Sequence, residues 1–125
     1  MTIKEFASKL GVSDSALRYY ERIGVLKPIR RRKNGYREFT ETDIAWMEFV
    51  FRLKATGMPI AQIAEFAELR EKGESTAPER LKMLQEHEKR LLAELETKTH
   101  SLAKIREKIE YYKKLAMRNE GVPVC

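Results

Sequence analysis

Apolar residues recur at helical spacing in five stretches of this chain, and the breaks between them fall on glycine, proline or short polar runs. Thr2 and Glu5 have the spacing of a capping box, and Ile3, Phe6, Ala7 and Leu10 follow as one stripe that stops at Gly11. This predicts a first helix of about eight residues. Ser13 is placed to cap a second helix, in which Ala16, Leu17 and Tyr20 share a face before Gly24 ends it. Two short helices separated by Gly11 and Val12 make a helix-turn-helix. Further on, Thr40 with Asp43 opens a third helix with Ile44, Met47, Val50 and Phe51 inward and Gly57 at its end. Pro59 starts a fourth, with Ile60, Ile63, Ala64 and Phe66 buried.

Between the second and third helices the periodicity changes. Pro28 blocks helix continuation, and Asn34-Gly35 supplies the positive backbone dihedrals of a tight hairpin turn, so residues 27–39 are expected to form a two-stranded β-hairpin wing. Lys27, Arg30, Arg31, Arg32, Lys33 and Arg37 precede the first acidic residue of that segment, Glu38. A hairpin does not need that density of charge merely to stay soluble.

The polar segment from Glu71 to Ser75 contains Gly73 and is expected to be a hinge. Thr76, Pro78 and Glu79 then start a helix in which no glycine or proline follows until Gly121. Roughly forty helical residues span about 60 Å. Leu81, Leu84, Leu91, Leu95, Leu102, Ile105, Ile109 and Tyr112 fall on alternating three- and four-residue steps, interrupted only by Glu88 and Lys98. That is a heptad seam, and the chain has too little of itself left to cover it, so a second copy is the expected partner. The fold class is therefore mainly α: a winged helix-turn-helix head with a small hairpin wing over residues 1–72, a coiled-coil dimerisation helix over 76–118, and a tail over 119–125.

The charge sharpens this picture. Twenty-five Lys and Arg stand against nineteen Asp and Glu. The excess lies in residues 1–57, with twelve basic and seven acidic side chains, while the remainder is nearly balanced. A basic head favours a polyanionic partner such as nucleic acid. With no long apolar run and no signal-peptide pattern, a cytoplasmic location without membrane attachment is expected. The single cysteine, Cys125, excludes an intrachain disulfide. No nucleophile–base set or phosphate-cradling glycine loop points to an enzyme.

In a helix-turn-helix the second helix enters the major groove, where this one would present Ser13, Asp14, Ser15 and Arg18, with Tyr19 nearby. Arg18 is suited to a guanine edge or to a phosphate, and Arg31, Arg32, Lys33 and Arg37 to flanking phosphates. Tyr20 lies on the apolar stripe and reads as core.

Leu17, Arg18, Tyr19, Tyr20 and Glu21, then Gly24, Leu26 and Pro28, then Gly35, Tyr36, Arg37, Phe39 and Asp43 together resemble the MerR family of transcriptional regulators. The similarity continues through Leu53, Gly57, Pro59 and Ile63. The resemblance implies a homodimer with an antiparallel coiled coil, which binds double-stranded promoter DNA at a near-palindromic operator and distorts it so that RNA polymerase can use the promoter. It carries DNA contacts to Arg18, Tyr19, Tyr20, Tyr36, Arg37 and Lys54.

The family's metal sensors place cysteines at the start of the long helix and in a loop after its end. Ser75 and Thr76 stand in the first region here and Cys125 alone in the second, so no metal or other cofactor is assigned. His87 and His100 are thirteen residues apart and read as solvated helix surface. Electrophile-responsive members carry a cysteine in the helix after the wing, where this chain has Arg52. Trp46, Phe49 and Phe66 read as core rather than as an effector pocket, and the small-molecule effector is not identified. An architectural or recombination-accessory DNA-binding protein is the rival reading.

Overall fold

The computed structural model describes residues 1–27, 30–31 and 37–118, with the backbone alone at 30, 31 and 37. Tight contacts divide the chain into two units, Met1–His87 and Glu88–Cys125.

Helix α1 (Ile3–Leu10) begins as its sequence requires: the Glu5 amide donates to Thr2 Oγ1 at 3.2 Å, and the Thr2 amide donates to Glu5 Oε1 at 3.2 Å. It ends at Gly11, whose φ of 71° lies in the left-handed region that a side chain with a Cβ rarely adopts. The chain reverses there into α2 (Asp14–Arg22), capped by Ser13, whose Oγ accepts from the Ala16 amide at 3.1 Å. After α2, the amides of Val25 and Leu26 both donate to Tyr20 O, which folds Val25 and Leu26 back into the core.

Strands β1 (Arg30–Arg31) and β2 (Arg37–Glu38) pair antiparallel, with Arg30 opposite Glu38 and Arg31 opposite Arg37. The expected turn at Asn34-Gly35 lies outside the described residues. Phe39 then exchanges both backbone hydrogen bonds with Met1, at 2.8 and 3.0 Å, and its ring stacks on Phe6 with centroids 4.6 Å apart. The end of β2 is thereby fixed to the start of α1.

Helix α3 (Glu41–Ala55) opens with the buried Asp43 carboxylate accepting from the Thr40 amide at 2.9 Å and from Thr40 Oγ1 at 3.3 Å. Helix α4 (Ile60–Glu71) follows Pro59, as the sequence predicts, and buries Ile63 and Phe66, but Ile60, expected inward, is exposed in its first turn. The core of this unit is built from Phe6, Leu17, Leu26, Phe39, Met47, Val50 and Ile63, all essentially inaccessible. Burying each large aliphatic or aromatic side chain contributes about 1.5–3 kcal/mol.

The expected hinge is a short 3₁₀ turn (Glu74–Thr76) leading directly into α5 (Ala77–Arg118). Thr76 is buried, and its hydroxyl lies against Leu69 O and against Gly73 O at 2.9 Å. Arg80 adds hydrogen bonds to Thr76 Oγ1 at 3.1 Å and to Gly73 O at 3.0 Å. Thr76 thus ties the last turn of α4, at Leu69 O, to the turn at Gly73, and Arg80 holds that turn from the first part of α5.

In the first unit Leu84 packs partly against the core, whereas Leu81 is exposed. In the second unit Leu95, Leu102, Ile105, Ile109 and Tyr112 are between 44% and 60% exposed.

Asp43→Ala removes the acceptor for the Thr40 amide at a buried helix start, so stability is expected to fall by about 1 kcal/mol, read as a lower urea midpoint. An unchanged midpoint would contradict the capping role.

Candidate nucleic-acid interface

Helix α2 has two distinct sides. Leu17 and Tyr20 are buried in the core, and because a helix turns through 3.6 residues, their burial forces Ser15, Arg18 and Tyr19 to the solvent side, where all three are exposed. Arg22 joins them: its guanidinium lies 5.6 Å from the Tyr19 ring centroid, and Tyr19 sits edge-on to Tyr20 at 5.6 Å. Arg22 is absent from the residues expected to contact DNA, although it follows Arg18 by four residues and Tyr19 by three, the spacing that shares a helix face.

Tyr20 reaches this side only by its tip. Its ring is core and meets Phe51 at 5.9 Å, but its hydroxyl accepts from Lys54 Nζ at 3.3 Å. Lys54, in the last turn of α3, is thereby brought to α2 although 34 residues separate it from Tyr20. Of the residues expected to contact DNA, Ser15, Arg18, Tyr19, Tyr20 and Lys54 therefore surround one helix. Arg31 and Arg37 are described by their strand backbone alone, and Arg32, Lys33 and Tyr36 lie outside the described residues, as does Cys125.

The aromatic group is core, as the sequence predicts. Trp46 stacks on Phe66 with centroids 5.9 Å apart, donates from Nε1 to Val25 O at 2.8 Å, and is covered by the Arg70 guanidinium at 4.4 Å. Phe49 tilts against both rings and is half-buried.

His87 requires a correction. It is not solvated surface: it is 7% exposed, with Nε2 2.8 Å from Thr56 Oγ1. No local signal could have revealed this, because α3 and α5 bring together residues 31 apart in sequence. His100 is exposed. Among the described residues no group of three or more His, Cys, Asp or Glu side chains is arranged to hold a metal ion, and no helix is long and apolar enough to cross a membrane.

A capped helix pair with a polar, cationic outer face on its second helix defines a helix-turn-helix DNA-binding protein. The family model for MerR HTH family regulatory proteins matches residues 1–69, and that for the MerR DNA-binding region matches residues 44–112. The chain belongs to the MerR family of transcriptional regulators, which are not enzymes.

It is 34% identical over 92 residues to the HTH-type transcriptional regulator AdhR of Bacillus subtilis, covering 74% of this chain and 66% of that one. It is 32% identical over 113 residues to an uncharacterised HTH-type transcriptional regulator of Haemophilus influenzae, covering 90% of this chain and 84% of that one. Among solved structures, a MerR family transcriptional regulator from Listeria monocytogenes matches with a TM-score of 0.88 at 30% identity, over 97% of this chain and 92% of that one. HiNmlR, a MerR family regulator lacking the sensor domain and solved bound to promoter DNA, matches with a TM-score of 0.81 at 31% identity, over 97% and 94%.

Because the Tyr20 ring is core and its hydroxyl is not, two substitutions are expected to separate. Tyr20→Ala should cost about 3–5 kcal/mol, while Tyr20→Phe should leave thermal unfolding close to that of the parent. Equal melting of all three proteins would show that the ring carries no packing.

Proposed function

We propose that the chain acts in the cytoplasm as a homodimer that binds and distorts promoter DNA, setting its use by RNA polymerase in response to an effector. The observation that carries this reading is the outer side of α2, where Ser15, Arg18 and Tyr19 are exposed beside Lys54 and the Tyr20 hydroxyl. Its dimensions suit the major groove, with Arg18 and Ser15 at base edges and Lys54 at a phosphate. The paired strands β1 and β2 support a wing, from which Arg31, Arg32, Lys33, Tyr36 and Arg37 would reach flanking phosphates. The promoter-bound state of HiNmlR favours the same reading.

The homodimer rests on the apolar side of α5. Leu81, Leu84, Leu91, Leu95, Leu102, Ile105, Ile109 and Tyr112 are assigned to the contact, and most of them are exposed in the single chain. Each large aliphatic side chain left in water forgoes about 1.5–3 kcal/mol, which a second copy of the helix recovers. Deformation of the DNA between two heads would add sequence dependence at base pairs that no side chain touches.

Leu95→Lys places a charge in the seam and is expected to yield monomers in sedimentation equilibrium at concentrations where the parent is dimeric. A variant that remains a dimer of equal stability would contradict the coiled coil.

On a duplex selected from a random-sequence pool, Arg18→Ala is expected to lose about 1–3 kcal/mol of discrimination over random DNA. Joint Arg31→Ala and Arg32→Ala should weaken both duplexes alike and flatten the slope of log K against log salt by about one unit for each phosphate no longer neutralised. If Arg18→Ala kept the discrimination and flattened the slope, Arg18 would be a backbone anchor.

A further inference from the structure

His87 is the buried residue of α5. Its neighbours along the helix, Glu86 and Glu88, are exposed. Its ring meets Thr56, the residue that ends α3. The Thr56 hydroxyl makes three short approaches: 2.9 Å to Arg52 O, 3.1 Å to Leu53 O and 2.8 Å to His87 Nε2. A hydroxyl has a single proton, and a carbonyl oxygen can only accept. All three approaches are satisfied together only if that proton is shared by the carbonyls and the hydroxyl oxygen accepts from His87. In that arrangement Nε2 carries the ring proton.

We infer that His87 is a positioning residue for the DNA-facing side of the head: its Nε2–H, donated to Thr56, fixes α5 against the last turn of α3 and so holds Lys54 beside Tyr20. The inference rests on the DNA-binding reading of α2 and Lys54. Lys54 is two residues before Thr56 in the same turn, its own carbonyl accepts from the Gly57 amide at 3.0 Å, and the Thr56 amide donates to Arg52 O at 3.1 Å. A displacement of Thr56 is transmitted through these bonds to Lys54. His87 is also the last residue of the first unit, so this bond is made where α5 leaves the head.

The test uses the full chain in two ways. Imidazole ¹⁵N spectra of the free protein, with His100→Gln to assign the two rings, are expected to show His87 protonated at Nε2; a ring bare at Nε2 would overturn the inference. On the duplex selected from a random-sequence pool, His87→Leu is expected to bind about fivefold more weakly. Its slope of log K against log salt should also flatten by about one unit if Lys54 no longer reaches its phosphate. His87→Gln, which restores an N–H donor of similar reach, should recover both. Thr56→Val combined with His87→Leu should do no more harm than Thr56→Val alone, because that variant has already lost the bond to His87. If His87→Leu lowered the melting temperature but left affinity and salt slope unchanged, His87 would be a packing residue and the positioning role would be refuted. If the unmodified chain failed to bind any duplex, the DNA-binding reading would fall and the positioning role with it, while the spectrum would still decide whether the His87–Thr56 bond exists.

Discussion

The arrangement of the head depends on the burial of Leu17 and Tyr20 from a helix of nine residues. A helix that short is marginal by itself, so its orientation comes from what it packs against rather than from its own hydrogen bonds. With these two side chains anchored, the opposite side is determined by helical geometry, and Ser15, Arg18, Tyr19 and Arg22 have nowhere to point but outward. The core that receives Leu17 and Tyr20 is supplied by α1, α3 and the residues after α2, and it also sets the place of Lys54 through the Tyr20 hydroxyl. Packing and recognition are thus opposite sides of the same short helix. Substitutions at Leu17 would disturb DNA binding without touching DNA.

Helix α5 obeys the reverse constraint. It runs over Ala77–Arg118, and beyond His87 its side chains Leu92, Leu95, Leu102, Ile105 and Ile109 are exposed. The proposed dimer would resolve this. It would also give two copies of α2 the two-fold relation that near-palindromic DNA presents.

Most of this is legible in the sequence because the signals are local. Thr2 with Glu5, Ser13, and Thr40 with Asp43 mark helix starts through hydrogen bonds made within three residues, Pro59 marks one through its fixed φ, and Gly11 marks an end through its backbone conformation. The outward position of Arg18 follows from the inward stripe of Leu17 and Tyr20. What stays hidden depends on tertiary approach. The buried His87, the bonds of Thr76 to Leu69 O and of Arg80 to Gly73 O, and the Arg70 guanidinium over Trp46 join residues whose sequence neighbours give no sign of a partner. His87 belongs to this group: among charged neighbours, a polar residue looks solvated until the helix packed against it is known. Arg22 is the opposite case, since its spacing from Arg18 and Tyr19 is visible in the sequence.

The central claim is that two copies of α2 read a symmetric site in one duplex, and hydroxyl-radical footprinting of the selected duplex tests it most directly. Two protected blocks related by a dyad are expected, with centres separated by roughly one helical turn of 10 base pairs or a multiple of it. Altered cleavage between them would mark the distorted centre. A single protected block without a dyad, at protein concentrations that saturate the duplex, would contradict the claim.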